Sequence, residues 1–193
     1  GALASASDEV LLARYAAGEP AAARALTLRL TPRVLGYAAR MLGDAAEAED
    51  VAQEAMLRLW RAAPGWRAGE AQVSTWLYRV VTNLCTDRLR ARRRRPAAAL
   101  DEAPDVPDGA KGAVAGMIEA DRMAALQAAL DALPERQRQA VVLRHIEGLA
   151  NPDIAAVMDI GVEAVESLTA RAKRALTALL SGRREELGYD DEA

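Results

Sequence analysis

Leu26, Leu30, Val34, Tyr37 and Met41 recur at intervals of three and four residues, the spacing that gathers apolar side chains on one face of an α-helix. The rhythm returns in Ala48, Val51, Ala52, Ala55 and Leu59, and in Leu77, Val80, Val81 and Leu84 with the aliphatic stem of Arg88. It appears again in Met123, Leu126, Leu130 and Leu133. No stretch shows sustained alternation of β-branched and polar residues, so a substantial sheet is not expected. Alanine and leucine dominate the remainder and favour helix. These patterns predict an all-α chain. With 193 residues, 51% of them hydrophobic, it is long enough for one large helical unit or two small ones.

Helix punctuation divides it. Asp8 is expected to cap a helix through Tyr15, stopped by Gly18-Glu19-Pro20. A second helix runs from Ala21 to Leu42, with a kink or fresh start at Thr31-Pro32, and Gly43 ends it. Asp44 caps Ala45 to Ala62, Pro64-Gly65 breaks the chain, and Ser74 caps the next helix. From Pro96 to Gly116 the sequence PAAALDEAPDVPDGAKGAVAG has three prolines and no apolar period, the composition of a flexible linker. Helices then follow over Ile118–Leu133, Glu135–Glu147, Pro152–Met158 (capped by Asn151) and Val162–Leu180, with Gly148 and Gly161 at the turns. A short helix, a glycine turn and a longer helix make a helix-turn-helix pattern, in which Ile154, Ala155 and Met158 would pack on Val162, Val165 and Leu168. The expected division is two helical domains, 1–95 and 118–182, a linker over 96–117 and an acidic tail over 183–193.

Charge is distributed in blocks. The net charge is −3, yet residues 61–95 carry nine basic and two acidic side chains, and residues 96–121 carry one and six. The basic block ends the segment STWLYRVVTNLCTDRLRARRRR, residues 74–95, which opens with Trp76 and Tyr78. Arginines hold phosphates and aromatic rings stack on unpaired bases, so the segment suits a protein that handles DNA as it opens. The alternative for Trp76 and Tyr78 is core packing. For the run Arg92–Arg95 it is a solvated helix end that complements the helix dipole. One cysteine, Cys85, excludes an internal disulfide and reads as a small core residue. One histidine, His145, leaves too few soft ligands for zinc, and no metal or cofactor is expected. No apolar run reaches the roughly 20 residues that span a bilayer, and no signal segment opens the chain, so a cytoplasmic location is expected.

Three passages, in order, resemble the bacterial sigma factors of the extracytoplasmic-function class. AEAEDVAQEAMLRLW (46–60) looks like the family's core-polymerase-binding helix, STWLYRVVTNLCTDRLR (74–90) like its promoter-melting helix, and the stretch 133–176 like its second DNA-reading domain. The resemblance implies a sigma region 2 bundle and a region 4 helix-turn-helix, in a non-enzymatic factor that directs RNA polymerase core to promoters. It implies docking on the polymerase β′ coiled coil through Asp50, Gln53, Glu54, Leu57 and Trp60, with a further contact to the β flap. It implies recognition and melting of the −10 element by Trp66, Arg67, Gln72, Trp76, Arg79, Asn83 and Arg90. Reading of the −35 element would fall to Glu163, Ser167, Arg171, Lys173 and Arg174. The chain departs from the commoner pattern at Glu166 and Leu168, where many members carry a lysine and an arginine, which puts its −35 specificity in question. An anti-sigma protein is the implied regulator. Two rival readings exist. One is an operator-binding regulator that uses the same helix-turn-helix without polymerase. The other is a nucleic-acid enzyme built on the acidic residues of 44–54, whose helical spacing spreads them along a surface rather than around a pocket.

Overall fold

The computed structural model of the protein describes residues 2–95 and 114–186. They form eight α-helices and no strand: α1 (Asp8–Ala16), α2 (Pro20–Leu42), α3 (Ala45–Ala62), α4 (Val73–Arg94), α5 (Val114–Asp131), α6 (Glu135–Val141), α7 (Asn151–Met158) and α8 (Val162–Glu186). A single 3-10 turn, Ala63–Gly65, follows α3, and a π-helical turn, Val142–Ile146, extends α6. The all-α expectation holds.

Helices α1 to α4 form one bundle, with α2 against α1, α3 and α4. The stripe read from α2 is its core face: Leu26, Leu30, Val34, Tyr37 and Met41 are all buried. Helix α8 gathers α5, α6 and α7 into a second bundle. The two bundles touch, α4 against α7 and α2 against α5 and α6, and their buried side chains join in one apolar cluster.

Several boundaries differ from the expectation. Ser7, not Asp8, caps α1, its side chain accepting from the Val10 N–H at 3.3 Å. Helix α2 passes through Pro32 as one helix of 23 residues. Helix α4 begins at Val73, one residue before Ser74, because its first N–H is satisfied from far away: Val73 N donates to Glu9 Oε1 at 2.9 Å. Asn151 lies inside α7, behind Ala150 as the capping position. The left-handed residue of the helix-turn-helix turn is Asp159, with φ of 56°, rather than Gly161; Asp is one of the few side chains that tolerates that region. Val162, expected in the α7–α8 contact, is 39% exposed. Helix α5 already includes Val114 to Met117, which the expected linker had claimed, and α8 extends to Glu186, into the expected tail. The rest of the linker, 96–113, and of the tail, 187–193, lies outside the described residues. The caps at Asp44, Gly43 and Gly148 are as expected. Asp44 Oδ1 accepts from Glu47 N at 3.0 Å, and both glycines adopt positive φ.

Candidate nucleic-acid interface

Three surfaces carry the residues singled out from the sequence. On α3, Asp50, Gln53 and Leu57 are exposed, with Leu57 at 43%. Glu54 is half-buried and accepts from Arg58 Nε at 3.1 Å one turn on. Trp60 is half-buried because its ring lies on that of Tyr15, 4.7 Å between centroids. Asp50 faces Arg88 of α4 at 3.9 Å, an exposed pair of little energetic weight. Between α2 and α3 runs a groove of about 420 Å³, lined by Thr31, Leu35, Gln53, Met56, Leu57 and Trp60. The Thr31 hydroxyl there is buried without a partner. The α2 side of this groove escaped the sequence reading. Thr27, Thr31 and Leu35 line it from α2 at intervals of four residues, and Leu28, near them on the outer face of the helix, is 68% exposed. That four-residue spacing was the available signal.

The second surface belongs to α4 and the loop before it. Trp66 and Trp76 meet edge to face, 5.6 Å between ring centroids and 86° between planes. Both are half-buried, so Trp76 does part of what the core-packing alternative assigned to it. The Trp66 indole N–H is buried without an acceptor. Arg67 is exposed beside Glu70, 3.8 Å away, and Gln72 is exposed at the start of α4. Arg79, Asn83 and Arg90 are all exposed, and spacings of four and seven put them on one helical face with Trp76. Asp87 is exposed on the same face and adds one like charge to any phosphate that approaches it.

Tyr78 belongs to the interior. It is 1% exposed, packs edge to face on Tyr37 with centroids 5.5 Å apart, and donates from its hydroxyl to Glu147 Oε2 at 2.8 Å. Burial, the Glu147 charge and that hydrogen bond raise its pKa, with Arg33 opposing them from above the ring. The arginine run is also partly absorbed by the fold. Arg92 donates to Leu42 O at 2.7 Å and pairs with Glu47, and Arg93 pairs with Glu135 at 2.7 Å. Arg94 and Arg95 are exposed. Cys85 is fully buried, and burial pushes its thiol up to about 12, so it is an unreactive core residue.

The third surface is α8. Glu163, Ser167, Arg171, Lys173 and Arg174 are exposed, and spacings of four, four and three align Glu163, Ser167, Arg171 and Arg174 along one face. Glu166 is exposed as well, whereas Leu168 is half-buried and packs on the core. His145 is exposed and lies toward this side; partial desolvation and the charges of Lys173 and Arg144 hold its pKa below the usual imidazole value. The acidic first turn of α8 thus passes into a basic stretch. Among the described residues, no group of three or more His, Cys, Asp or Glu side chains is placed to hold a metal, and no helix is long and apolar enough to cross a membrane.

Comparison with known proteins identifies the family. Residues 26–95 match the family Sigma-70 region 2, and residues 123–176 match Sigma-70, region 4. The chain is 36% identical over 181 residues to the RNA polymerase sigma-H factor of Pseudomonas aeruginosa, covering 90% of this chain and 93% of that one. It is 37% identical over 175 residues to the ECF RNA polymerase sigma factor SigM of Mycobacterium tuberculosis strain H37Rv, covering 90% and 85%. Among solved structures it is similar to CnrH in complex with the cytosolic domain of CnrY, with a TM-score of 0.67, 28% identity, and coverage of 91% of this chain and 97% of that chain. It also shares the fold of the sigma factor RpoE of Bartonella quintana, solved with the anti-sigma factor NepR, at a TM-score of 0.65, 22% identity, and coverage of 80% and 94%. The two family models match in order along the chain and the full-length relatives cover about nine-tenths of it, so the chain belongs to the sigma-70 family as a sigma factor of the extracytoplasmic-function class, which directs RNA polymerase in transcription initiation.

Proposed function

We propose the following division of labour for this factor. RNA polymerase core is held by α3, with Asp50, Gln53 and Glu54 offering acidic and polar contacts to a basic helix. Leu57 and Trp60 supply the apolar edge of the groove shared with α2. Promoter DNA is captured at the −10 element by Trp66, Arg67, Gln72, Trp76, Arg79, Asn83 and Arg90. The −35 element is read by Glu163, Ser167, Arg171, Lys173 and Arg174. The chain performs no catalysis of its own and acts where polymerase does, in the cytoplasm. A protein partner that holds the factor inactive belongs to the same reading; the similar protein CnrH is solved in complex with the cytosolic domain of CnrY.

One observation carries the melting assignment: the edge-to-face pair of Trp66 and Trp76 is continuous with the exposed polar face of Arg79 and Asn83. A base that leaves its stack loses a few kcal/mol. An aromatic platform returns roughly 1–3 kcal/mol per base, enough for strand capture without an external energy source. Trp66→Ala and Asn83→Ala are expected to reduce permanganate-detected promoter opening about tenfold or more with polymerase binding unchanged. Opening equal to the parent in both variants would sink the assignment.

A further inference from the structure

A cavity of about 590 Å³ opens where the last turns of α4 meet the turn between α5 and α6. Four arginines line it: Arg92, Arg93, Arg136 and Arg138. None of them is among the residues assigned above to promoter contact. Glu135 is the one carboxylate of the lining, and Leu89, Leu133 and Pro134 supply an apolar wall. The volume falls within the roughly 300–1,000 Å³ of sites that hold small organic molecules.

Two of the arginines are pinned and two are unanswered. Arg92 donates to Leu42 O at 2.7 Å and pairs with Glu47, and Arg93 pairs with Glu135 at 2.7 Å. Those bonds fix both side chains and leave further N–H donors on each guanidinium. Arg136 is exposed, whereas Arg138 is only 9% exposed. Among the described residues neither has a carboxylate within ion-pair distance. Arg138 donates to Met41 O and, at 3.2 and 3.5 Å, to Asp131 O and Leu133 O, while its Nε–H has no acceptor. Burial holds its pKa below the usual arginine value, and Asp131 and Glu135 oppose this only from longer range. A buried cation met by carbonyls alone is costly, and an anion beside it would offset part of that cost.

We propose that this cavity binds a nucleoside diphosphate, with its phosphates on Arg136 and Arg138, steadied by Arg92 and Arg93, and its base on the apolar wall. Four guanidiniums against Glu135 and Glu47 leave a surplus of two positive charges, which a diphosphate answers. Guanidiniums take phosphate oxygens through paired, parallel hydrogen bonds. The planar base covers Leu89, Leu133 and Pro134, a wall that inorganic pyrophosphate would leave in water. The chain's net charge is −3, so a general attraction for anions is not the source of such binding. The site goes beyond the sigma-factor reading and does not depend on it.

Calorimetric titration of the full chain with ADP, adenosine and inorganic pyrophosphate, without magnesium, tests the site. ADP is expected to bind about tenfold more tightly than pyrophosphate, and adenosine to give no heat at the same concentrations. Absence of ADP binding overturns the proposal. So does adenosine or pyrophosphate that binds as well as ADP, the latter marking an adventitious anion only. Arg136→Gln removes a lining charge at an exposed position and is expected to weaken ADP binding about tenfold, with helix content by circular dichroism unchanged. Arg24→Gln is the matched control. It removes the same charge from an exposed position about 27 Å along α2 from Leu42, whose carbonyl holds Arg92, and is expected to leave ADP affinity at the parent level. Equal weakening by the two variants, or none by Arg136→Gln, overturns the proposal.

Discussion

At the scale of single residues, the interior of the first bundle depends on a directed chain of hydroxyls. Thr82 Oγ1 donates to Tyr78 O at 2.8 Å, so its one proton is committed, and the Tyr37 hydroxyl must be the donor in the 2.7 Å contact between Tyr37 and Thr82. The two ends of that bond are therefore not equivalent. Tyr37→Phe removes the donor, and Thr82 keeps its other bond; about 1 kcal/mol is expected to be lost. Thr82→Val leaves a phenol buried with no acceptor, at a cost of roughly 1–3 kcal/mol. Denaturant melts of the two variants check the order, and a smaller loss for Thr82→Val would contradict the assigned direction. Sequence periodicity found Tyr37 as a core residue. It could not find its partner, because Thr82 lies 45 positions away and reads as an ordinary polar residue in a helix.

At the scale of elements, helix ends show where local sequence suffices. Asp44 caps α3 through a bond three residues long, and replacing it with Ala is expected to cost about 1 kcal/mol by thermal or urea unfolding. The start of α4 shows the opposite case. Ser74 has the chemistry of a cap, yet the helix begins one residue earlier because Glu9, 64 positions upstream, reaches the Val73 N–H. The run Arg92–Arg95 divides in the same way. It is plain in the sequence, but Arg92 and Arg93 serve internal carbonyls and carboxylates, and within the run only Arg94 and Arg95 have no partner of this kind among the described residues. The exposed face of α8 was legible throughout, since exposure along a long helix follows from its own period.

For the whole molecule, Glu147 joins the bundles and gives the assembly a pH signature. Burial raises its carboxyl above the usual glutamate value, and the Tyr78 hydroxyl, Arg33 and Arg40 offset part of that rise. A raised acid favours its protonated form in the fold. Its contribution to stability is therefore greatest below the unfolded glutamate pKa and declines as pH rises through the folded one. Thermal melting across that acid window is expected to show this decline in the parent and a flatter profile in Glu147→Gln. Identical profiles would show that the bundles do not hold this carboxyl out of water.

The sequence by itself determined the helices, most of their stops, the helix-turn-helix and the family, because these follow from short-range period, capping chemistry and motif order. Only the tertiary structure decided that Tyr78 is interior, that Thr27, Thr31 and Leu35 of α2 line a groove with α3, and that Arg138 is buried against the end of α2. Each of those depends on which surfaces meet across distances in the chain that local hydrogen bonding and hydrophobic period do not encode.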